Sequence, residues 1–253
     1  MQVYICKSIE MLGREAGKKA EEILLNSIKE KDSACLVLAT GTSQLRTLEC
    51  LTQSNKIDWS KVSVFHLDEY IGLPETHPAS FRRYIKENFL SKVKKVKDIF
   101  FINGDSKDPY AECTRLNSII ANYGVDVTLV GIGENGHLAF NDPPANFDIE
   151  YPFIVVELDK KCRLQQVGEG WFKKLEDVPS SAISMSIKQI TKSRYIICSV
   201  PEKRKAEACK NAIEGKVTPY CPASILQLHK NCYMYLDIDS SSLLKNRERY
   251  IKC

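Results

Sequence analysis

Short apolar runs that end in small-residue loops and lead into amphipathic stretches recur along most of this chain, and few architectures accept such an alternation. Cys35-Leu-Val-Leu-Ala39 is continuous rather than alternating, as a strand covered on both faces must be, and it stops at Thr40-Gly-Thr-Ser43. The unit repeats. Strands are predicted at Val62 to Leu67, Ile99 to Ile102, Val127 to Val130, Tyr195 to Ser199 and Cys232 to Leu236, and helices at Ser80 to Leu90, Asp108 to Tyr123 and Lys203 to Glu214. Ahead of them, Ile9, Leu12, Ala16, Ala20, Ile23, Leu24 and Ile28 recur at helical spacing and predict a long amphipathic first helix. The class is therefore α/β, with a mostly parallel sheet and helices on both faces. A chain of 253 residues, 43% of them hydrophobic, can bury a full core, and residues 1–253 are read as a single domain. Between Asp142 and Ser180 the pattern weakens, and Gly168 and Gly170 bracket Glu169 just ahead of Trp171 and Phe172. The stretch around residues 153–180 reads either as a mobile lid or as an ordinary surface excursion.

Composition narrows the function. The net charge is only +4, with Lys and Arg interspersed among Asp and Glu, so no basic face points to nucleic acid. The run from Lys92 to Lys97 reads as a solvated loop between a helix and a strand. No apolar stretch approaches membrane-spanning length, and Met-Gln-Val-Tyr-Ile-Cys-Lys at the start lacks a basic segment followed by a long apolar one. A cytoplasmic protein is expected. The ten cysteines are scattered singly with no Cys-x-x-Cys pair, so free thiols in a reducing compartment are expected, and Cys35 and Cys198 lie in strand-like runs as small hydrophobes.

In sheets of this kind ligands collect outside the carboxyl ends of the strands, which singles out Thr40 to Ser43, Asp68 to Pro78 and Gly131 to Pro144. Gly131-Ile-Gly-Glu-Asn-Gly136 has the G-x-G-x-x-G spacing of a dinucleotide fingerprint. That fingerprint must open a helix, whereas His-Leu-Ala-Phe-Asn-Asp and then Pro143-Pro144 follow here, so a nicotinamide or flavin is excluded. His137 and Asp142 frame the loop, and a histidine beside a carboxylate can move protons near neutral pH. Asp68 and Glu69 stand at the end of another strand, where capping is the ordinary alternative to chemistry. His66 invites a metal reading with them, but no third ligand has conventional spacing, so no metal is expected. Thr40, Gly41, Thr42 and Ser43 offer hydroxyls and backbone N–H groups at a helix start, suited to a phosphate or to plain helix capping. The Gly-Lys-Ser/Thr ending of a nucleotide-binding loop is missing, which favours a phosphorylated metabolite over a nucleoside triphosphate.

Together LATGTS, LDEYIGLPETHPASF, GIGENGHLAFNDPP and ILQLH, in this order over nearly the whole chain, resemble the glucosamine-6-phosphate deaminase family. The resemblance implies a three-layer Rossmann-like α/β fold and conversion of glucosamine 6-phosphate to fructose 6-phosphate and ammonia, without metal or organic cofactor. It implies that Asp68 carries the C2 proton to C1, that His137 assists ring opening with Asn135 and Asp142 orienting it, and that Thr40 to Ser43 and Lys205 bind the phosphate. Glu69 and Gly136 are grouped with the substrate-binding residues on the same ground. The related 6-phosphogluconolactonases usually have Asp-Glu-Arg where this chain has Asp68-Glu-Tyr70, and they lack the Phe140-Asn-Asp-Pro143 continuation. A galactosamine-6-phosphate deaminase would use the same groups, and a sugar-phosphate-binding regulator would keep the phosphate site alone. Most relatives carry Glu where this chain has Asp142, and many carry Asp where it has Asn135. The shorter Asp142 is expected to need a shifted loop or a bridging water to reach His137. Allosteric members hold an activator's phosphate with basic residues after the histidine loop. Phe153-Ile-Val-Val-Glu157 has none and suits a buried strand, so hyperbolic kinetics are expected, with a homo-oligomer left open.

Overall fold

A computed structural model describes all residues, 1–253. In chain order the strands are β1 (Gln2–Ile5), β2 (Ala34–Leu38), β3 (Val62–His66), β4 (Asp68–Tyr70), β5 (Asp98–Phe100), β6 (Val127–Val130), β7 (Phe153–Glu157), β8 (Ser181–Met185), β9 (Tyr195–Val200), β10 (Cys232–Leu236) and β11 (Ile251–Lys252). The helices are α1 (Ile9–Lys31), α2 (Leu45–Thr52), α3 (Phe81–Ile85), α4 (Pro109–Ile120), α5 (Lys160–Gly168), α6 (Ile187–Thr191) and α7 (Ala206–Glu214). Each long helix starts at a cap of the expected kind. Ser8 accepts from the Met11 N–H, and Asp108 accepts from two amides ahead of Pro109.

Eight strands form one sheet in the order β11-β1-β10-β9-β6-β2-β3-β5, every neighbouring pair parallel, flanked by helices. The strands of β2, β3 and β6 are buried on both faces, which is why they read as unbroken apolar runs. From β2 the chain steps outward to β3 and β5, then returns across β2 to β6 and onward to β9. The reversal leaves a crevice outside the carboxyl ends of β2 and β6, the position where sheets of this type bind ligands.

A second, antiparallel sheet, β4-β8-β7, has no counterpart in the sequence reading. β4, of three residues, is too short to announce itself, and no sequence signal shows that β7 and β8 pair away from the main sheet. β4 begins one residue beyond β3. The Leu67 N–H still bonds Leu38 at 3.0 Å, while its carbonyl already accepts from Met185 at 2.7 Å. Asp68 thus sits on the seam between the two sheets. Phe153–Glu157 is a strand as expected but lies on the edge of the small sheet, and only Phe153 is buried, since no further strand covers it.

The cysteine expectation needs correction at one pair. β11 runs parallel beside β1, which brings Cys253 next to Cys6, and the two are joined as a disulfide across 247 positions. No local motif marks a pair so far apart in sequence. The other eight cysteines are free, most of them buried.

Candidate active site

The crevice is a cleft that encloses about 610 Å³ of empty space counting its open mouth. Thr40, Gly41, Thr42 and Ser43 line it together with Asp68, His137 and Lys205. The chain places each for a local reason. Gly41 takes φ +92° before a 3-10 turn, Thr42–Gln44, that leads into α2. Gln44, which sequence reasoning missed, is fully buried. Its amide donates to the carbonyls at the ends of β6 and β9 (Val130 at 3.2 Å, Ser199 at 3.4 Å), holding the loop over the switch point.

Asp68 is buried but faces the cleft, and no side chain or amide bonds its carboxylate. Burial, reinforced by the neighbouring Glu69 charge, raises its carboxyl to about 8. Glu69 itself is not a cleft residue, contrary to expectation. It points the other way, fully buried, where it accepts from the Phe81 and Arg82 amides (3.1 and 2.9 Å) and the Ser80 hydroxyl (2.9 Å), with Arg82 alongside at 3.5 Å. Alternation along a strand sends neighbouring side chains to opposite faces, so one acid lines the cleft and the next caps α3. His66 is not available as a ligand either. Its Nδ1 contacts the Asp68 carbonyl and its Nε2 accepts from the Ile102 N–H, both at 2.9 Å, and burial pulls its pKa down to about 3.

The glycines of the 131–136 loop make room instead of cradling phosphates. A Cβ on Gly133 would lie 2.2 Å from the His137 ring, so only glycine lets the imidazole lie against the backbone. Gly136 takes φ +86° in the tight turn, and it does not line the cleft. Its carbonyl accepts from the Ala223 N–H, so it shapes the loop and is corrected from a substrate contact to a turn residue.

His137 Nδ1 lies 3.1 Å from Asp142 Oδ1 without good hydrogen-bond alignment. The shorter acid therefore lies within direct reach of the ring, because Asp142 is drawn in from several sides. Asn135 donates to its Oδ1 at 3.0 Å and the Asp159 N–H to its Oδ2 at 3.0 Å. Burial alone would raise the Asp142 carboxyl, but these bonds and His137 outweigh it and hold it below the usual range. Asn135 also accepts from the His137 N–H at 3.2 Å and donates to Asp159 at 3.2 Å. Asn135 and Asp142 stand behind the histidine and outside the cleft. Cys162 completes a His137–Asp142–Cys162 group whose potential ligand atoms lie within 4.8 Å. Burial raises that thiol far out of the range in which thiolates form, so without a cation beside it the thiol stays protonated.

Lys205 enters from the turn after β9, where Glu202 is forced to φ +79° and its N–H is held by Asp237 at 3.1 Å. Burial lowers the ammonium to about 8 despite nearby Glu169, so it arrives with little solvation and no carboxylate partner. Arg204, Gln165, Gln166 and Glu169 also line the cleft, and sequence reasoning named none of them as site residues. The glycines around Glu169 were the only signal. Asp159 ties α5 to the histidine loop, for its other oxygen caps the helix through the Cys162 N–H at 2.6 Å. A buried base, a histidine–carboxylate pair and an anion site of hydroxyls plus lysine can open a sugar ring, shift a proton between adjacent carbons and hold a phosphate.

Comparison with known proteins shows the family of the chain. The family model described as "Glucosamine-6-phosphate isomerases/6-phosphogluconolactonase" matches residues 7–234. A glucosamine-6-phosphate deaminase of Clostridium novyi is 39% identical over 91% of this chain and 96% of its own, and one of Thermoanaerobacter is 36% identical over 98% and 97%. The solved structure of a monomeric glucosamine-6-phosphate deaminase superposes with a TM-score of 0.86 at 31% identity, over 96% of this chain and 100% of that one. A 6-phosphogluconolactonase of Trypanosoma brucei shares the fold alone, with a TM-score of 0.79 at 15% identity over 96% and 98%.

Proposed function

Because the chain belongs to the glucosamine-6-phosphate isomerase and 6-phosphogluconolactonase family, we propose that it converts glucosamine 6-phosphate to fructose 6-phosphate and ammonia. The phosphate is held by the Thr40–Ser43 turn and Lys205, and His137, set by Asp142, moves the proton that opens the ring. Asp68 then takes the C2 proton of the open aldehyde and returns it to C1. The C2 amine is left as an imine, to which water adds and from which ammonia departs. The observation that carries this reading is the lone Asp68 carboxylate in the cleft, raised to about 8, since a base poised near the working pH is what proton shuttling between carbons requires.

A second observation separates the deaminase from the lactonase. Tyr70, where lactonases usually carry arginine, and Phe140, the first residue of the continuation they lack, touch each other with ring centroids 5.1 Å apart. Tyr70 also packs on Phe81 and Phe172 in an apolar cluster. An arginine there would place a charge among these rings. The decisive assay incubates the purified protein with glucosamine 6-phosphate, galactosamine 6-phosphate and 6-phosphogluconolactone. Ammonia and fructose 6-phosphate are expected from the first. Turnover of the lactone alone would reject the reading, and preference for the C4 epimer would move the substrate to galactosamine 6-phosphate.

A further inference from the structure

Arg204 stands beside Lys205 in the cleft, yet three carboxylates from three segments converge on it. Its Nη1 donates to Glu134 Oε1 at 2.8 Å and to Glu169 Oε1 at 2.9 Å, and its Nε donates to Glu202. Glu134 belongs to the histidine loop, Glu202 to the strained turn that presents Lys205, and Glu169 to the C-terminus of α5. Glu169 is the most enclosed of the three, with a side chain 8% exposed against 43% and 37%. It is also the only one that lines the cleft. A carboxylate facing a buried lysine in an anion site is otherwise out of place, because it repels the ligand that the lysine attracts.

Glu169 is also the point at which the α5 segment is fastened. Gln165 donates to its Oε1 at 2.8 Å and Trp171 Nε1 to its Oε2 at 3.3 Å. Gln165 in turn accepts from the Glu134 N–H at 2.9 Å. Trp171 packs on Tyr84, whose hydroxyl bonds the Gly41 carbonyl of the phosphate turn at 2.9 Å. One carboxylate therefore links Arg204, the α5 segment that covers the cleft and, through Trp171 and Tyr84, the Thr40–Ser43 turn.

We propose that Glu169 is an internal stand-in for the substrate's phosphate and that Arg204 is a second phosphate-recognition residue, so that an entering phosphoryl dianion takes Arg204 over from Glu169 and thereby releases the α5 cover. The proposal rests on the sugar-phosphate reading of the cleft. The exchange is close to balanced, since one charge-assisted contact to Arg204 replaces another. The dianion adds Lys205 and the backbone N–H groups of the turn, which Glu169 does not bond, and that surplus favours the exchange. By linkage, a change at Glu169 that weakens its contact with Arg204 while leaving Arg204 in place must tighten phosphate binding, by up to the same factor.

The test uses the full chain, with amino-sugar 6-phosphate as substrate and inorganic phosphate as the anion probe. Glu169→Gln should lower both KM and the inhibition constant of inorganic phosphate several-fold. Arg204→Gln should raise both by about 10-fold or more, as loss of a charge-assisted contact does, with KM changing more than kcat. Should Arg204→Gln fail to fold with three carboxylates left facing one another, Arg204→Lys keeps a charge but loses the fork, and should raise both constants by less. Titrating the parent with inorganic phosphate should shift Trp171 emission, while Trp59, buried in the main core, serves as a constant background. Phosphate constants that stay at the parent value in both variants overturn the exchange, and saturation without a change at Trp171 overturns the release. Lys205→Ala separates the two levels of inference. If it alone weakens phosphate binding, the sugar-phosphate reading stands and the exchange falls. If the parent binds no phosphate, or binds it equally well without Lys205, both fall.

Discussion

The eight-stranded sheet and the cover above its carboxyl edge are held together in different ways. The large sheet and its helices share one core of 57 buried residues, which also takes in Phe153, Ile183 and Met185 of the small sheet, whereas the cover and the opposite face of the small sheet gather around nine, Tyr70 and Phe140 among them. Helix α1 lays two glycines against α2 so closely that a Cβ on Gly13 would lie 2.2 Å from Arg46, and it packs across β2, β6, β9 and β10. Helix α5 buries only Cys162 and Gln166 and is held at its ends by polar groups, Asp159 at one and Glu169 at the other. Apolar burial is non-directional and accumulates with area, while a few charged contacts can be exchanged for a ligand's. The frame is therefore built to stay and the cover to be displaced. Asp68, at the seam, takes its low solvation from both.

Asp68→Asn probes the seam and should have the largest effect. The amide keeps the shape but cannot take the C2 proton, so turnover should fall by about 10²–10⁴-fold while the phosphorylated substrate still binds. The fold should respond in the opposite direction. A carboxyl raised from 3.8 to about 8 in the folded chain contributes stability that is fully present below its unfolded value and lost as pH rises toward 8. Removing the charge should thus raise the unfolding midpoint at pH 7 and above but not at pH 4, by about 2–4 °C for each kcal/mol relieved. Full activity, or a midpoint gain that does not grow with pH, would show that Asp68 is neither the base nor a cost to the fold.

The contrast between frame and cover is tested directly by two truncations. Leu36→Ala, in a fully buried position on β2, should cost about 2–5 kcal/mol in global stability. Phe172→Ala, in the small cluster, should leave most of the thermal midpoint in place and increase hydrogen exchange and proteolysis across residues 159–178. Equal falls in the global midpoint would mean that frame and cover unfold as one unit and that the division drawn here is wrong.

The smallest expected effect is on the pH profile. Ionisation of Asp68 through about 8 sets a rising acid limb in kcat/KM. Loss of the Lys205 proton, lowered to about 8 by burial, sets a falling alkaline limb, so a narrow bell centred near pH 8 is expected. Lys205→Arg should move only the alkaline limb upward, because a guanidinium stays charged. An acid limb that moves with it would tie that limb to phosphate binding and not to Asp68.

Much of the architecture was legible along the chain because its signals are local. Buried parallel strands must be continuously apolar, and the turns that end them must be small or polar, so Cys35 to Ala39, Val62 to Leu67 and Val127 to Val130 marked the sheet and the loops at its carboxyl edge. Asp68, His137 and Thr40 to Ser43 could be named for the same reason, and Lys205 from the family resemblance alone, and the fold brings all of them to one cleft. What tertiary structure alone decided depends on groups distant in sequence. Glu69 looked like the equal of Asp68 until the strand's pleat sent it to cap α3, and Gly136 resembled a ligand contact until the turn faced its carbonyl toward Ala223. The Cys6–Cys253 pair, the β4-β8-β7 sheet and the meeting of Glu169 with Arg204 each join segments whose separation leaves no periodic trace. Periodicity reports which face of an element is buried, but which charge meets which across a cleft is set by the packing of the whole chain.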